Sequence, residues 1–131
     1  MLKSFYINKI KIANPVFLAP MTAVTDLPFR KIAYKFGAEN TVSEMIASMA
    51  MIRQTRASLQ KAQIYKPSKD LPAIVQIAGC DPDVMLQAAK LNIDLGADII
   101  DINFGCPIKK VVNGNACLLY TSPSPRDENG Y

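Results

Sequence analysis

Four candidate strands, at residues 16–19, 40–45, 73–78 and 98–103, alternate with three segments whose apolar residues recur at helical spacing. A near-continuous apolar strand is buried on both faces, and strands that alternate with helices lie parallel in an α/β protein. Val16-Phe17-Leu18-Ala19 reads as the first such strand, stopped by Pro20. Thr25 or Asp26 caps the helix that follows, with Pro28 in its first turn, Phe29, Ile32, Ala33 and Phe36 on one face and Gly37 at its end. Residues 40–45 read as the second strand, and the stretch from about 47 to 64, with Met51, Thr55, Leu59 and Ala62 at helical spacing, reads as one helix. Pro67 and Pro72 bracket a loop before the third strand at 73–78. Asp81-Pro82-Asp83 then opens a third helix with a carboxylate cap, a proline at the first helical position and an acid against the helix dipole. Its face of Val84, Ala88, Leu91 and Leu95 runs to Gly96, and residues 98–103 form the fourth strand. Ahead of this series, residues 5–7 and 10–12 flank Asn8-Lys9 as a short hairpin.

Two architectures accommodate the alternation, an open doubly wound sheet and a (β/α)8 TIM barrel. The first strand-to-helix turn, APMTAVTD, contains no glycine, so the dinucleotide-binding fingerprint of the doubly wound fold is absent and the barrel is favoured. A complete barrel takes about 250 residues. The 131-residue chain is therefore expected to be the N-terminal half of one, truncated after about four strands. Residues 1–116 would form that part. The tail at 117–131, CLLYTSPSPRDENGY, is rich in Pro and Ser and is expected to be disordered and foreign to the domain. A half barrel leaves strand edges and apolar interior uncovered, which favours self-association.

The absence of histidine removes whole classes of chemistry. Mixed Cys/His zinc sites and Ser-His-Asp or Cys-His catalytic pairs are excluded, and no metal site is expected. Cys80, Cys106 and Cys117 are odd in number and spaced for neither a C-x-x-C pair nor a disulfide framework. An enzyme of this composition must take its proton chemistry from Cys, Asp, Glu, Lys or Tyr, or from a cofactor. No apolar run is long enough to cross a membrane and the first residues do not read as a secretory signal, so a cytoplasmic protein is expected. Charge is uneven: residues 1–69 hold 11 basic against 3 acidic side chains, and residues 70–131 hold 4 against 8. Arg53, Arg56, Lys61, Lys66 and Lys69 follow one another without an intervening acid, as either a phosphate-facing stripe or a solvated helix face.

In a barrel the working face lies at the C-terminal ends of the strands. There the chain places Pro20-Met21-Thr22, then Ser43 and Glu44, then Gln76, then Asn103 followed by Gly105-Cys106-Pro107. Gln76 is an amide within an apolar strand and must find partners, either backbone or the heteroaromatic edge of a ligand. Cys106 is an inert packed thiol, a nucleophile or a proton donor, the last two without a histidine to activate it. Asn103, three residues earlier, could orient a polar substrate, and Asp101 shares its strand face without an assigned role. Glu44 is either a carboxylate at the strand ends or the partner of a lysine.

The segments LAPMTAVTDLPFR (18–30), TVSEM (41–45), VQIAGCDP (75–82) and DINFGCPIKKVVNGNA (101–116) resemble the tRNA-dihydrouridine synthases, most nearly the bacterial B-type branch. The resemblance spans about residues 5–116 in order and spacing. It implies an FMN-containing TIM barrel with a helical C-terminal domain that reduces the C5=C6 bond of uridines in tRNA at the expense of NADPH. It further implies that Pro20, Met21 and Thr22 lie along the flavin, that Gln76 hydrogen-bonds its ring, and that Asn103 sits near the target base. By the same resemblance Cys106 is the proton donor to C5 as hydride reaches C6. Flavin-ring lysine, phosphate site and tRNA-binding domain fall in the part of the family pattern this chain does not contain. The rival expectations are another FMN barrel acting on a free pyrimidine, such as a dihydroorotate dehydrogenase relative, and a non-catalytic RNA-binding fragment. The basic stripe and the full APM…VTD..PFR segment speak against the free-pyrimidine rival.

Overall fold

The structure, a computed structural model, describes residues 3–105. Cys106, Cys117 and the tail at 117–131 lie outside the described residues.

The hairpin forms as expected, with β1 (Phe5–Ile7) antiparallel to β2 (Ile10–Ile12) and Ile7 opposite Ile10. Asn8 takes the left-handed conformation of the turn (φ 52°), which asparagine tolerates better than most residues. Phe5 of this hairpin packs its ring 6.4 Å from that of Phe17 in β3 (Phe17–Leu18).

From β3 onward every strand pairing is parallel and joins neighbours in the chain. β3 pairs with β4 (Asn40–Thr41), β5 (Ile46–Ala47) with β6 (Ile74–Ala78), and β6 with β7 (Ile99–Ile102). The expected second strand is split into β4 and β5, and a bridge between Val42 and Ile74 keeps its two parts on one wall. The physical cause is Ser43. Its hydroxyl accepts from the Gln76 N–H (3.1 Å) and donates to the Glu44 carbonyl (3.0 Å), so a side chain stands in the backbone ladder and the strand breaks there. Strand order thus follows chain order without the reversal that defines a doubly wound sheet. The described strands form a mixed α/β unit and do not close into a barrel; within the parallel wall, β3 and β7 each pair on one side.

α1 (Leu27–Lys35) is capped by Asp26, whose carboxylate accepts from the Phe29 N–H, and it stops before Gly37 at φ 92°. Its buried residue is not on the expected apolar face. Arg30 is 4% exposed, whereas Phe29, Ile32 and Phe36 are 39%, 54% and 88% exposed. Helical periodicity reports which face could be buried. Here two backbone carbonyls that need donors turn the helix the other way: Arg30 Nε donates to Thr25 O and Nη2 to Gln63 O, each at 3.2 Å.

The expected second helix is likewise two, α2 (Ser48–Ile52) and α3 (Arg56–Lys61). Gln54 adopts a left-handed φ of 48°, and Thr55, expected on a helix face, is the cap of α3, accepting from the Ser58 N–H. A T-x-x-S capping pattern was present in the sequence, but the helical spacing of Met51, Leu59 and Ala62 ran across it. α4 (Pro82–Asp94) matches expectation, with Asp81 accepting from the N–H groups of Asp83 and Val84.

The core lies between the outward face of the strands and the helices. Val75 and Ile77 of β6 join Ile46, Met51, Ala62 and Ala88 there, all at most 2% exposed. Alternation along a strand then sends Gln76 to the opposite face. Gly79 lies where α2 and α4 approach β6: a Cβ on it would stand 3.0 Å from Met85 Cγ and 3.1 Å from Ser48 Oγ.

Candidate active site

The loop after β3 is held from three directions. Met21 O accepts from the N–H groups of Val24 (3.0 Å) and Thr25 (2.9 Å), while Met21 N–H donates to Thr25 Oγ1 at 2.8 Å. Thr25 is completely buried, so this turn is fixed from beneath, and Pro20 is half-buried while Met21 and Thr22 remain exposed. Ala23, at the left-handed φ of 63°, donates its N–H to Glu44 Oε1 at 2.7 Å. The same carboxylate oxygen lies 3.8 Å from Lys61 Nζ. The lysine-pairing reading of Glu44 is realised, and the same carboxylate holds the loop after β3 through the Ala23 N–H. Arg30 completes the clamp. Burial lowers the pKa of its guanidinium, and the neighbouring Tyr34, Glu44 and Asp26 act against that shift.

Glu44→Ala should release the Ala23 N–H and speed its hydrogen exchange by about tenfold or more, since an unmade hydrogen bond to a charged acceptor is worth about 1.5–3 kcal/mol. Glu44→Gln, which keeps an acceptor, should move it much less. Equal exchange in all three proteins would show that the loop is held without Glu44.

The second half of the site spans β6 and β7. Gln76 is directly in register with Asp101 and only 6% exposed. Its Nε2 donates to Asp101 Oδ2 at 2.6 Å, and its Oε1 accepts from Asn103 Nδ2 at 3.0 Å. The buried amide is thus satisfied by one side chain on β7 and one just past its end instead of by backbone. Asn103 is tied twice more, its backbone N–H donating to Ile77 O (2.9 Å) and its Oδ1 accepting from the Gly105 N–H (3.1 Å).

The structure brings Gln76 and Asn103 into direct contact and sets Pro20-Met21-Thr22 in a fixed loop on the same wall. The segment Ser43-Glu44 joins the two halves: Glu44 holds the loop and Ser43 holds the backbone of Gln76. Cys106 lies outside the described residues. Asp101, unassigned from sequence, proves to be the partner of Gln76, and Thr25, expected only as a possible cap, secures the loop. The period-two alternation that pairs Asp101 with Asn103 on one face was the available signal for the first. The basic stripe is interrupted: Lys66 pairs with Asp98 at 2.5 Å and Lys61 with Glu44, leaving Arg53, Arg56 and Lys69 without an ion pair among the described residues.

Among the described residues no group of three or more His, Cys, Asp or Glu side chains could hold a metal ion, and no helix is long and apolar enough to cross a membrane.

Comparison with known proteins gives this arrangement a family. The sequence profile of the dihydrouridine synthase (Dus) family matches residues 17–124. The "Probable tRNA-dihydrouridine synthase" of Rickettsia bellii (strain RML369-C) is 56% identical over 108 residues, which is 82% of this chain and 33% of the relative. "tRNA-dihydrouridine synthase B" of Pasteurella multocida (strain Pm70) is 44% identical over 117 residues, covering 87% of this chain and 35% of the relative. The protein of the same name from Pseudomonas aeruginosa is 45% identical over 115 residues, or 86% and 34%. The chain spans about a third of the length of the curated relatives it matches. With the profile covering most of its residues, the chain belongs to the dihydrouridine synthase family.

Proposed function

We propose that residues 1–116 are the N-terminal part of a cytoplasmic TIM-barrel enzyme that reduces uridine to 5,6-dihydrouridine in tRNA with FMN and NADPH. The observation that carries this reading is the histidine-free polar set Gln76–Asp101–Asn103 at the strand ends, joined through residues 43–44 to a clamped loop. The set fits a flavin ring. Gln76 commits one Nε2–H to Asp101 and one Oε1 lone pair to Asn103, which leaves a second N–H and a second lone pair for a heteroaromatic edge that alternates donors and acceptors.

FMN, when bound and reduced by NADPH, would supply the hydride for C6 of the uracil. Pro20, Met21 and Thr22 would form a fixed platform along the ring, and Gln76 would orient it through its remaining N–H. Asn103 would hold the target base, which has to leave the tRNA stack to reach the site. Cys106 would give its thiol proton to C5, so that one C–H bond forms at each carbon of the reduced double bond. The four parallel strands would make the first half of the barrel wall. Taken alone, the chain would be inactive, and the pairing of β7 on one side among the described residues, together with the exposed apolar residues of α1, favours self-association.

The test is the tRNA of a strain from which the full gene is deleted. Mass spectrometry should show dihydrouridine lost at one or more positions and regained when the gene is returned. Unchanged tRNA would refute the proposal. The rival that acts on a free pyrimidine loses ground to the family match, while the rival of an RNA-binding fragment without chemistry keeps the basic half of the chain, of which Lys61 and Lys66 are committed to carboxylates.

A further inference from the structure

Gln76 and Asn103 each carry an amide that could be turned by half a rotation with little change of shape, exchanging donor for acceptor. What fixes their orientation is the group at the end of the chain of bonds. A carboxylate only accepts, so Asp101 Oδ2 requires Gln76 to present Nε2 to it. That leaves Gln76 Oε1 toward Asn103, which must answer with Nδ2, and Asn103 Oδ1 is then turned to the Gly105 N–H. The far end agrees in sign, because a backbone N–H only donates. The two ends are unequal in strength. The bond at Asp101 is charge-assisted, 2.6 Å long and half-buried, whereas the one at Gly105 is exposed and 3.1 Å long.

We propose that Asp101 is a positioning residue whose acceptor-only carboxylate sets the amide orientation of Gln76 and, through it, of Asn103 and the turn at Gly105 immediately before Cys106. Asp101 touches neither substrate nor cofactor in this scheme. It decides which atoms of two other side chains are offered to them: Gln76 has a free N–H to give, and Asn103 keeps its second Nδ2–H. That these atoms face flavin and uracil rests on the proposed function; the orientation itself does not.

The relay makes a prediction that a merely structural carboxylate would not. Asp101→Asn keeps size and packing but can accept or donate, so the direction is no longer imposed. Adding Gln76→Glu moves the acceptor-only group one step along the relay, and Asn103 again meets a carboxylate that demands Nδ2. In the 15N-labelled full-length protein, the Asn103 side-chain amide and Gly105 N–H resonances should shift or double in Asp101→Asn and return to their original positions in the double variant. In the unaltered protein a through-hydrogen-bond coupling should join Gln76 Nε2 to the Asp101 carboxyl carbon, a reading that requires no variant to fold. Dihydrouridine formation by Asp101→Asn should fall about tenfold in kcat with little change in KM for tRNA, as expected when reacting groups are mispositioned.

Unmoved Asn103 and Gly105 resonances in Asp101→Asn, failure of the double variant to restore them, or absence of the coupling would each overturn the relay. If the resonances behave as stated while the unaltered protein forms no dihydrouridine, the relay stands and the functional reading falls.

Discussion

Replacing Cys106 with alanine in the full-length enzyme is expected to lower the rate of dihydrouridine formation by about 10²–10⁴-fold, the range that a positioned general acid supplies. Flavin content and affinity for tRNA should remain near their original values, because the role proposed for the thiol is proton delivery and not binding. The chain contains no histidine, so no imidazole within these 131 residues can take over. Single-turnover measurement on pre-reduced enzyme isolates the step, since reduction by NADPH is then complete before tRNA is added. Cys106→Ser, which retains a weaker acid, should fall between the two. Unimpaired turnover by the alanine protein would remove Cys106 from the proton-donor role and return attention to the other acids of the site.

The second large effect concerns stability. Ile77→Ala removes three carbons from a side chain that is 1% exposed at the centre of the cluster shared by β6, α2 and α4. Large-to-small changes of this kind cost about 2–5 kcal/mol. Against a total of about 5–15 kcal/mol for a typical domain, such a loss is a substantial fraction of the whole. It should appear as a lowered urea midpoint with an unchanged slope. The control is Ile93→Ala on α4, where the side chain is 54% exposed and the change should stay within about 0.5 kcal/mol. Equal effects at the two positions would mean that the core is not where the structure puts it.

Much of the architecture was legible because local signals agreed with one another. The hairpin, the Asp26 and Asp81 caps and the buried run at 73–78 each combined an apolar pattern with a start or stop residue, and each appears within a residue or two of its expected place. The failures share a different cause. At Ser43 and Thr55 a short polar side chain enters the backbone's hydrogen bonding and breaks an element whose apolar pattern is continuous. At Arg30 a charged side chain takes the buried side of a helix because loop carbonyls there need donors, which periodicity does not register. The site shows the same division. Gln76 and Asn103 stood out by residue type and position, but the partnership with Asp101 depends on strand register, and register is set by pairing across residues distant in the chain.

The nearest-neighbour order of the parallel wall bears on how the polypeptide is made. Each parallel pairing, β3 with β4, β5 with β6 and β6 with β7, joins strands adjacent in the chain, so each can form without waiting for a distant partner still to be synthesised. Every such pairing closes one crossover of local length, which keeps the loop-closure entropy of each step small. Gln76 and Asp101 are only 25 residues apart, so the buried amide and its carboxylate meet as the single crossover between β6 and β7 closes.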